Sequence, residues 1–328
     1  MPANLPPDYY RVEEQFRQAK TNQEKIELLE TMLAIMPKHK GTDHLKADLR
    51  AKLAKLQEEG ERKRGASHAQ LYSVRKEGAG QVALIGPPNA GKSRLVSVLT
   101  GASPKVGDYP FTTQQPFPAM LPVDNVQIQL VDLPPVAAEL TPHWLSSLAR
   151  QADLLLLVLD LSFDPLANLD LALAELRRLR LAAVDQGEEG IGEDGILRKR
   201  ALVAANKSDA PDAPDNLELL RLELGGRLPL IPVSAVTGEN LEELKRQLFQ
   251  ALAVIRVYTR APGQQEIDRR HPFVMPSGST VGDLAESVHK DLLRGLKYAL
   301  VWGSGKFAGQ RVSREFVLSD EDTVEIVA

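Results

Sequence analysis

The chain has 328 residues, 43% hydrophobic and 26% charged, with a formal net charge of −4. That length fits about two domains of roughly 150 residues each, in a composition typical of soluble globular proteins. The negative balance excludes an overall basic lure for nucleic acid, and the absence of cysteine excludes disulfides and thiolate metal sites. The opening "MPANLPPDYYRVEEQ" lacks a basic-then-apolar signal pattern. The longest apolar run, Leu154–Leu159, falls far short of the ~20 residues of a membrane span. A cytoplasmic protein that does not engage membrane is expected.

In chain order, residues 9–64 carry apolar side chains at helical spacing: Ile26, Leu29, Leu33 and Met36, then Leu45, Leu49, Leu53 and Leu56. Between them "PKHKGTD" supplies a breaker, a glycine and an N-cap candidate at Thr42 or Asp43. The spacing predicts an αα-hairpin with one narrow stripe per helix, either docking a protein partner or packing on the next domain. "EEGERKRGASHAQ" reads as a charged linker.

From Gln81 strands and helices alternate. "QVALIG", "VQIQLVD" (126–132), "ADLLLLVLD" (152–160), "RALVAAN" (200–206) and "PLIPVSA" (229–235) read as strands. "SRLVSVLTG", "LDLALAELRRLRL" (169–181) and "ENLEELKRQLFQAL" (239–252) read as helices, and "DQGEEGIGEDGILRKR" as a surface loop. This alternation predicts an α/β fold with a doubly wound, mainly parallel sheet. Beyond "APGQQEIDRRHPF" comes a small α+β unit: a strand near Pro272–Met275, a helix from Val281 to about Arg294, then "YALVWG", "REFVLS" and "TVEIVA". Expected domains are 1–78, 79–254 and 255–328.

"GPPNAGKS", Gly86 to Ser93, fits G-x-x-x-x-G-K-[ST] between a strand and a helix. Such a loop turns backbone N–H groups inward around phosphates, and the helix N-terminus adds its positive dipole end. Lys92 would reach the β- and γ-phosphates and Ser93 would ligate Mg²⁺. "NKSD", Asn206–Asp209, follows a strand directly, as does "VSAVTGEN". The former resembles the guanine-binding motif of Ras-like GTPases. Its carboxylate can accept the N1 and N2 hydrogens of guanine, a pairing adenine cannot offer. GTP is therefore expected over ATP.

"DYPFTTQQP" (108–116) is similar to switch I of the Obg and DRG GTPases, and "FVMPSGSTVGDLAESVHKDLLRGLKYALVWG…VLSDEDTVEIVA" resembles a TGS domain, a ubiquitin-like β-grasp module. The chain is thus identified as a compact DRG-like protein: a P-loop G domain flanked by a helical hairpin and a TGS domain. The resemblance implies a phosphate-loop set of Gly86, Pro88, Asn89, Ala90, Gly91, Lys92, Ser93 and Arg94. It adds Phe111, Thr112 and Thr113 of switch I, then Asp132, Asn206, Lys207, Asp209, Ser234, Ala235 and Val236. Lys92 and Thr113 would serve catalysis, and Ser93, Thr113 and Asp132 would hold Mg²⁺.

Asp132 opens "DLPP", where Obg-type proteins carry DxPG. Pro135 has no N–H to offer the γ-phosphate, a loss of ~1.5–3 kcal/mol. Val136 occupies the position of the water-orienting glutamine of Ras-type enzymes. Asn89 matches relatives that use K⁺. The resemblance implies a slow, Mg²⁺-dependent GTPase switch near ribosome or RNA. The alternative is a non-catalytic guanine-nucleotide scaffold or adaptor.

The TGS region carries Lys290, Arg294, Lys297, Lys306, Arg311 and Arg314, either a local face for RNA phosphates or an ordinary solvated surface. Tyr298 and Trp302 read either as base-stacking rings or as packing positions of a strand.

Overall fold

The computed structural model describes residues 7–19, 22–36, 48–49, 52–53, 74–102, 116–134, 143–261, 267 and 269–328. They belong to two compact units, Met1–Ser73 and Val74–Ala328. No described helix is long and apolar enough to cross a membrane.

In the first unit, helix α1 (Pro7–Gln18) and helix α2 (Asn22–Ile35) pack together around Tyr9, Leu29, Met32, Met36 and Leu49. The two-helix hairpin expected here is corrected: two helices already lie before residue 37, and helical residues recur at 48–49 and 52–53. Tyr9, Val12 and Phe16 form a separate stripe packed into that core. α1 ends at Gln18, shortly before Thr21 and Asn22 in the sequence, both poor helix formers.

The second unit begins on an eight-stranded sheet. Strands β1 (Gln81–Ile85), β3 (Val126–Asp132), β4 (Leu154–Asp160), the C-terminal half of β7 (Leu197–Asn206) and β8 (Leu230–Val233) run parallel. Strand β2 (Phe117–Val123) lies antiparallel beside β3 at one edge. All six apolar residues of β4 are buried, which explains its uninterrupted run. Helices α3 (Lys92–Thr100), α4 (His143–Gln151), α5 (Pro165–Arg178), α6 (Ala213–Leu224) and α7 (Leu241–Ala251) connect these strands. Leu95, Val96 and Leu99 of α3 and Leu244 and Leu248 of α7 share one core with β1, β3 and β4.

Chain order reverses around β1, which has β3 on one side and β4 on the other. Ligands of open α/β sheets bind at such switch points, beyond the carboxyl ends of the strands. The "surface loop" after α5 is corrected. Strands β5 (Leu181–Val184) and β6 (Gly190–Ile191) pair with the first half of β7, which starts at Leu197 rather than Arg200. Strands of four and two residues are too short to carry a run of alternation to read.

The C-terminal sheet has the order β10-β9-β13-β11-β12, built from β9 (Val254–Arg260), β10 (Phe273–Pro276), β11 (Tyr298–Trp302), β12 (Gln310–Val312) and β13 (Thr323–Val327). Helix α8 (Val281–Val288) buries Val281 and Leu284 against it, fixed by a reciprocal capping box between Thr280 and Asp283. The expected helix to Arg294 is broken at His289, whose extended backbone and Nδ1 cap a short α9 (Lys290–Gly295). "REFVLS" forms no strand beyond one bridge at Val317. Tyr298 and Trp302 alternate with buried Ala299 and Val301, so they leave the core. The Arg311 guanidinium lies over Tyr298 at 3.8 Å, and Arg260 lies equally close over Trp302. Gly309 packs on the indole as well. Both rings are engaged by their own chain.

The two sheets meet at the turn between β2 and β3. Arg256 of β9 donates to Asp320 at 2.7 Å and to Asp124 at 3.0 Å, above the Phe249 ring. Asn125 donates to the Tyr258 hydroxyl and the Arg269 carbonyl, each at 2.7 Å. Arg256 is buried while its carboxylate partners keep water contact. Breaking the cluster should therefore cost about 2 kcal/mol, below the ~3–5 of a fully buried pair. Arg256→Met should lower the calorimetric unfolding midpoint by about 4–8 °C. A wild-type midpoint would show that this junction contributes nothing to stability.

Candidate functional site

Five parallel strands end on one edge of the large sheet, and the loops leaving them carry the motif residues. The loop after β1 bends through left-handed backbone at Asn89 (φ 64°) and Gly91 (φ 90°). A Cβ at Gly91 would collide with the Asn206 amide nitrogen, and one at Gly86 with the Val158 carbonyl. The two glycines are there for close approach as much as for conformation. Gly91 also starts α3 without any side-chain cap. The first amides of that helix are thus left to an outside acceptor.

Lys92, 7% exposed, donates to the carbonyls of Gly86 at 2.6 Å and Pro87 at 3.2 Å. Burial pushes its ammonium below the usual lysine range, partly offset by the negative charges of Asp132 and Glu175. Ser93 donates to Asp132 Oδ2 across from the end of β3. Burial pushes the Asp132 carboxyl up, against the Ser93 hydrogen bond and the Lys92 charge. A desolvated cation and a desolvated carboxylate therefore lie within electrostatic reach of one another, each offsetting part of the other's burial. The Ser93 and Asp132 oxygens are the hard donors that Mg²⁺ takes, so the residues present fit that ion. Among the described residues no cluster of three acidic, histidine or cysteine side chains forms a metal site. An ion here would lean on phosphate oxygens and water as well.

Asn206, 2% exposed, joins this loop to the others. Its Nδ2 donates to Ala90 O at 2.9 Å, and its Oδ1 accepts from Ala235 N–H at 3.2 Å. Ser234, wholly buried, donates to Asp209 Oδ1 at 2.5 Å and accepts from the amides of Val236 and Thr237. That leaves Asp209 Oδ2 as a fixed, exposed acceptor. Val236 projects at 71% exposure. Lys207, at φ 65°, sends its ammonium to Asp160 at the end of β4.

The structure thus brings together Gly86, Asn89, Ala90, Gly91, Lys92, Ser93, Asp132, Asn206, Lys207, Asp209, Ser234 and Ala235. Pro88 and Arg94 are exposed on the same loop and first helical turn. Phe111, Thr112, Thr113, Pro135 and Val136 lie outside the described residues. Sequence reading missed Asp160, whose only signal is a carboxylate closing an apolar strand, and Glu239, which accepts from Ser208 at 2.7 Å.

A curated GTP-binding protein of Methanocaldococcus jannaschii is 30% identical over 365 residues, covering 93% of this chain and 92% of its own. Developmentally-regulated G-protein 3 of Arabidopsis thaliana is 30% identical over 371 residues, covering 94% and 99%. The chain belongs to the family of developmentally regulated GTP-binding proteins. Within it, residues 81–186 match the family described as "50S ribosome-binding GTPase", and residues 255–328 match the TGS domain. Two solved structures share the fold. A GTP-binding protein of Pyrococcus horikoshii superposes with a TM-score of 0.52 at 20% identity, covering 76% of this chain and 99% of its own. The Schizosaccharomyces pombe YchF GTPase gives 0.54 at 13% identity, covering 77% and 99%.

In this member of the DRG family the Asn206 bridge is a structural joint before it is anything else. Asn206→Ala would leave a buried carbonyl and a buried amide unpaired, at about 1–3 kcal/mol each. Thermal unfolding of nucleotide-free protein should shift down accordingly. An unchanged midpoint would mean that the three loops do not depend on this side chain.

Proposed function

We propose that this chain is a cytoplasmic, Mg²⁺-dependent guanine-nucleotide-binding protein that hydrolyses GTP slowly and acts as a switch at ribosome or RNA. The observation that carries the reading is the convergence, through Asn206, of a phosphate-cradling loop with a fixed carboxylate acceptor at Asp209. Lys92 and the open amides of α3 suit the phosphates, and Ser93 and Asp132 suit Mg²⁺. Asp209 suits the paired N1 and N2 donors of guanine. Thr113 would complete the metal shell and close over the γ-phosphate. K⁺ beside Asn89 would be a second ion. The domains taken for this reading are 1–78, 79–254 and 255–328, with GTP and GDP in the middle one, RNA at the TGS domain and a protein partner at the N-terminal helices.

Slow turnover follows from side-chain chemistry at two positions. Pro135 cannot donate to the γ-phosphate, and Val136 cannot orient water. The same proline favours a second reading, a scaffold that holds nucleotide without switching. Pro135→Gly separates the two: on the switch reading it raises GTP-over-GDP preference by about ten- to a hundredfold. Unchanged preference and turnover would mean that the proline is not what limits the switch.

Base choice has its own test. Asp209→Asn replaces an acceptor by a donor. It should weaken GDP binding by about ten- to a hundredfold, while xanthosine diphosphate, with a carbonyl at the exchanged edge, should gain. Retained GDP affinity would remove Asp209 from the base site. Turnover should be faster in K⁺ than in Na⁺. Equal rates would remove the Asn89 assignment and leave nucleotide binding standing.

A further inference from the structure

Asp160 closes β4, and its side chain is only 13% exposed. Oδ2 accepts from the Lys207 ammonium, while Oδ1 accepts from the backbone N–H of Ser162 at 2.7 Å and its hydroxyl at 2.6 Å. Both oxygens are thereby committed. Burial works to raise this carboxyl, yet the hydrogen bonds from Lys207 and Ser162 outweigh it and hold it below the usual carboxylate range. Asp160 therefore stays charged throughout the neutral range.

Its support is rigid. Asp160 pairs in register with Asn206, and Leu161 N–H donates to Asn206 O at 2.9 Å. Asn216 of α6 donates to Leu161 O, also at 2.9 Å. The anchor is thus locked to the same strand end that presents Asn206, and Lys207 leaves that strand in left-handed backbone.

Strand order gives this ion pair a place. β4 lies between β1, which feeds the phosphate loop, and β7, which feeds Asn206–Asp209. The Lys207 side chain runs from the base-side loop back to the end of the intervening strand. Its four-carbon stem therefore crosses the ground between the phosphate loop and the Asp209 acceptor. We propose that Asp160 is a positioning residue of the nucleotide site: it tethers the Lys207 ammonium so that the lysine stem stands as a fixed apolar wall of the base pocket. This rests on the guanine-nucleotide reading above and adds a residue that no motif of that reading contains. A lysine stem carries four rotatable bonds, and a charged tether at its tip removes most of that freedom before a ligand arrives. A preorganised wall slows ligand escape more than it speeds entry.

The test is dissociation of a fluorescent GDP from the full chain, followed by stopped flow. Asp160→Asn keeps the shape and removes the charge. It should speed release about tenfold, with GDP and a non-hydrolysable GTP analogue affected alike, because the tether lies away from the terminal phosphate. Asp160→Glu should recover part of the loss. In a Lys207→Met background, which keeps the stem but not the ammonium, Asp160→Asn should add little further. Native release rates in Asp160→Asn would overturn the proposal. So would an undiminished effect in the Lys207→Met background, which would send the role of Asp160 to Ser162. If Asp160→Asn does not fold, Lys207→Met alone decides: faster release supports the tether and native release overturns it. Failure of the unaltered chain to bind guanine nucleotide would sink the parent reading and this inference together, whereas intact binding unaffected by these variants would sink the inference alone.

Discussion

One carboxamide holds the nucleotide site together. Asn206 sits at the end of β7, buried, with its nitrogen on the phosphate loop and its oxygen on the loop that follows β8. Those loops leave strands that are not neighbours in sequence. The parallel sheet brings them to one edge, and this amide bridges them directly. Gly91 reflects the same constraint from the other side, because any larger residue there would strike the amide. The loop after β1 and the Asp209 carboxylate are therefore linked through one hydrogen-bonded joint, as the proposed recognition of phosphates together with a base requires.

Much of this was legible in the chain before any coordinates. The buried run of β4 and the alternation of β3 announced a parallel sheet, and "GPPNAGKS" and "NKSD" fell where that sheet ends. Other features were not legible, each for a physical reason. β5 and β6 are only four and two residues long, too short to show a period, and both pair along the first half of the overlong β7. The break at His289 is a side-chain cap inside an otherwise helical pattern. β9 follows α7 with almost no punctuation, so its sequence runs on from the helix. The Asp160–Lys207 contact joins residues far apart in the chain, and nothing local marks the pair.

The appended β-grasp sheet meets the large sheet at a telling place. Arg256 and Tyr258 seize the turn of the β2–β3 hairpin. At its other end β3 carries Asp132, hydrogen-bonded to Ser93 at the phosphate loop. One strand thus spans from the TGS contact to the loop after β1. The outer face of that second sheet is less open than its composition suggests, since arginines already cover Tyr298 and Trp302. Any RNA contact there would be carried by phosphates and cations before bases.

Recognition of a guanine ring together with its phosphates is the claim on which the whole account stands. Isothermal titration of the full chain with GDP and with ADP, each in Mg²⁺, tests it most directly. The account predicts saturable binding of GDP at micromolar affinity or better and no measurable heat with ADP. Equal heats from the two nucleotides, or none from either, would contradict it.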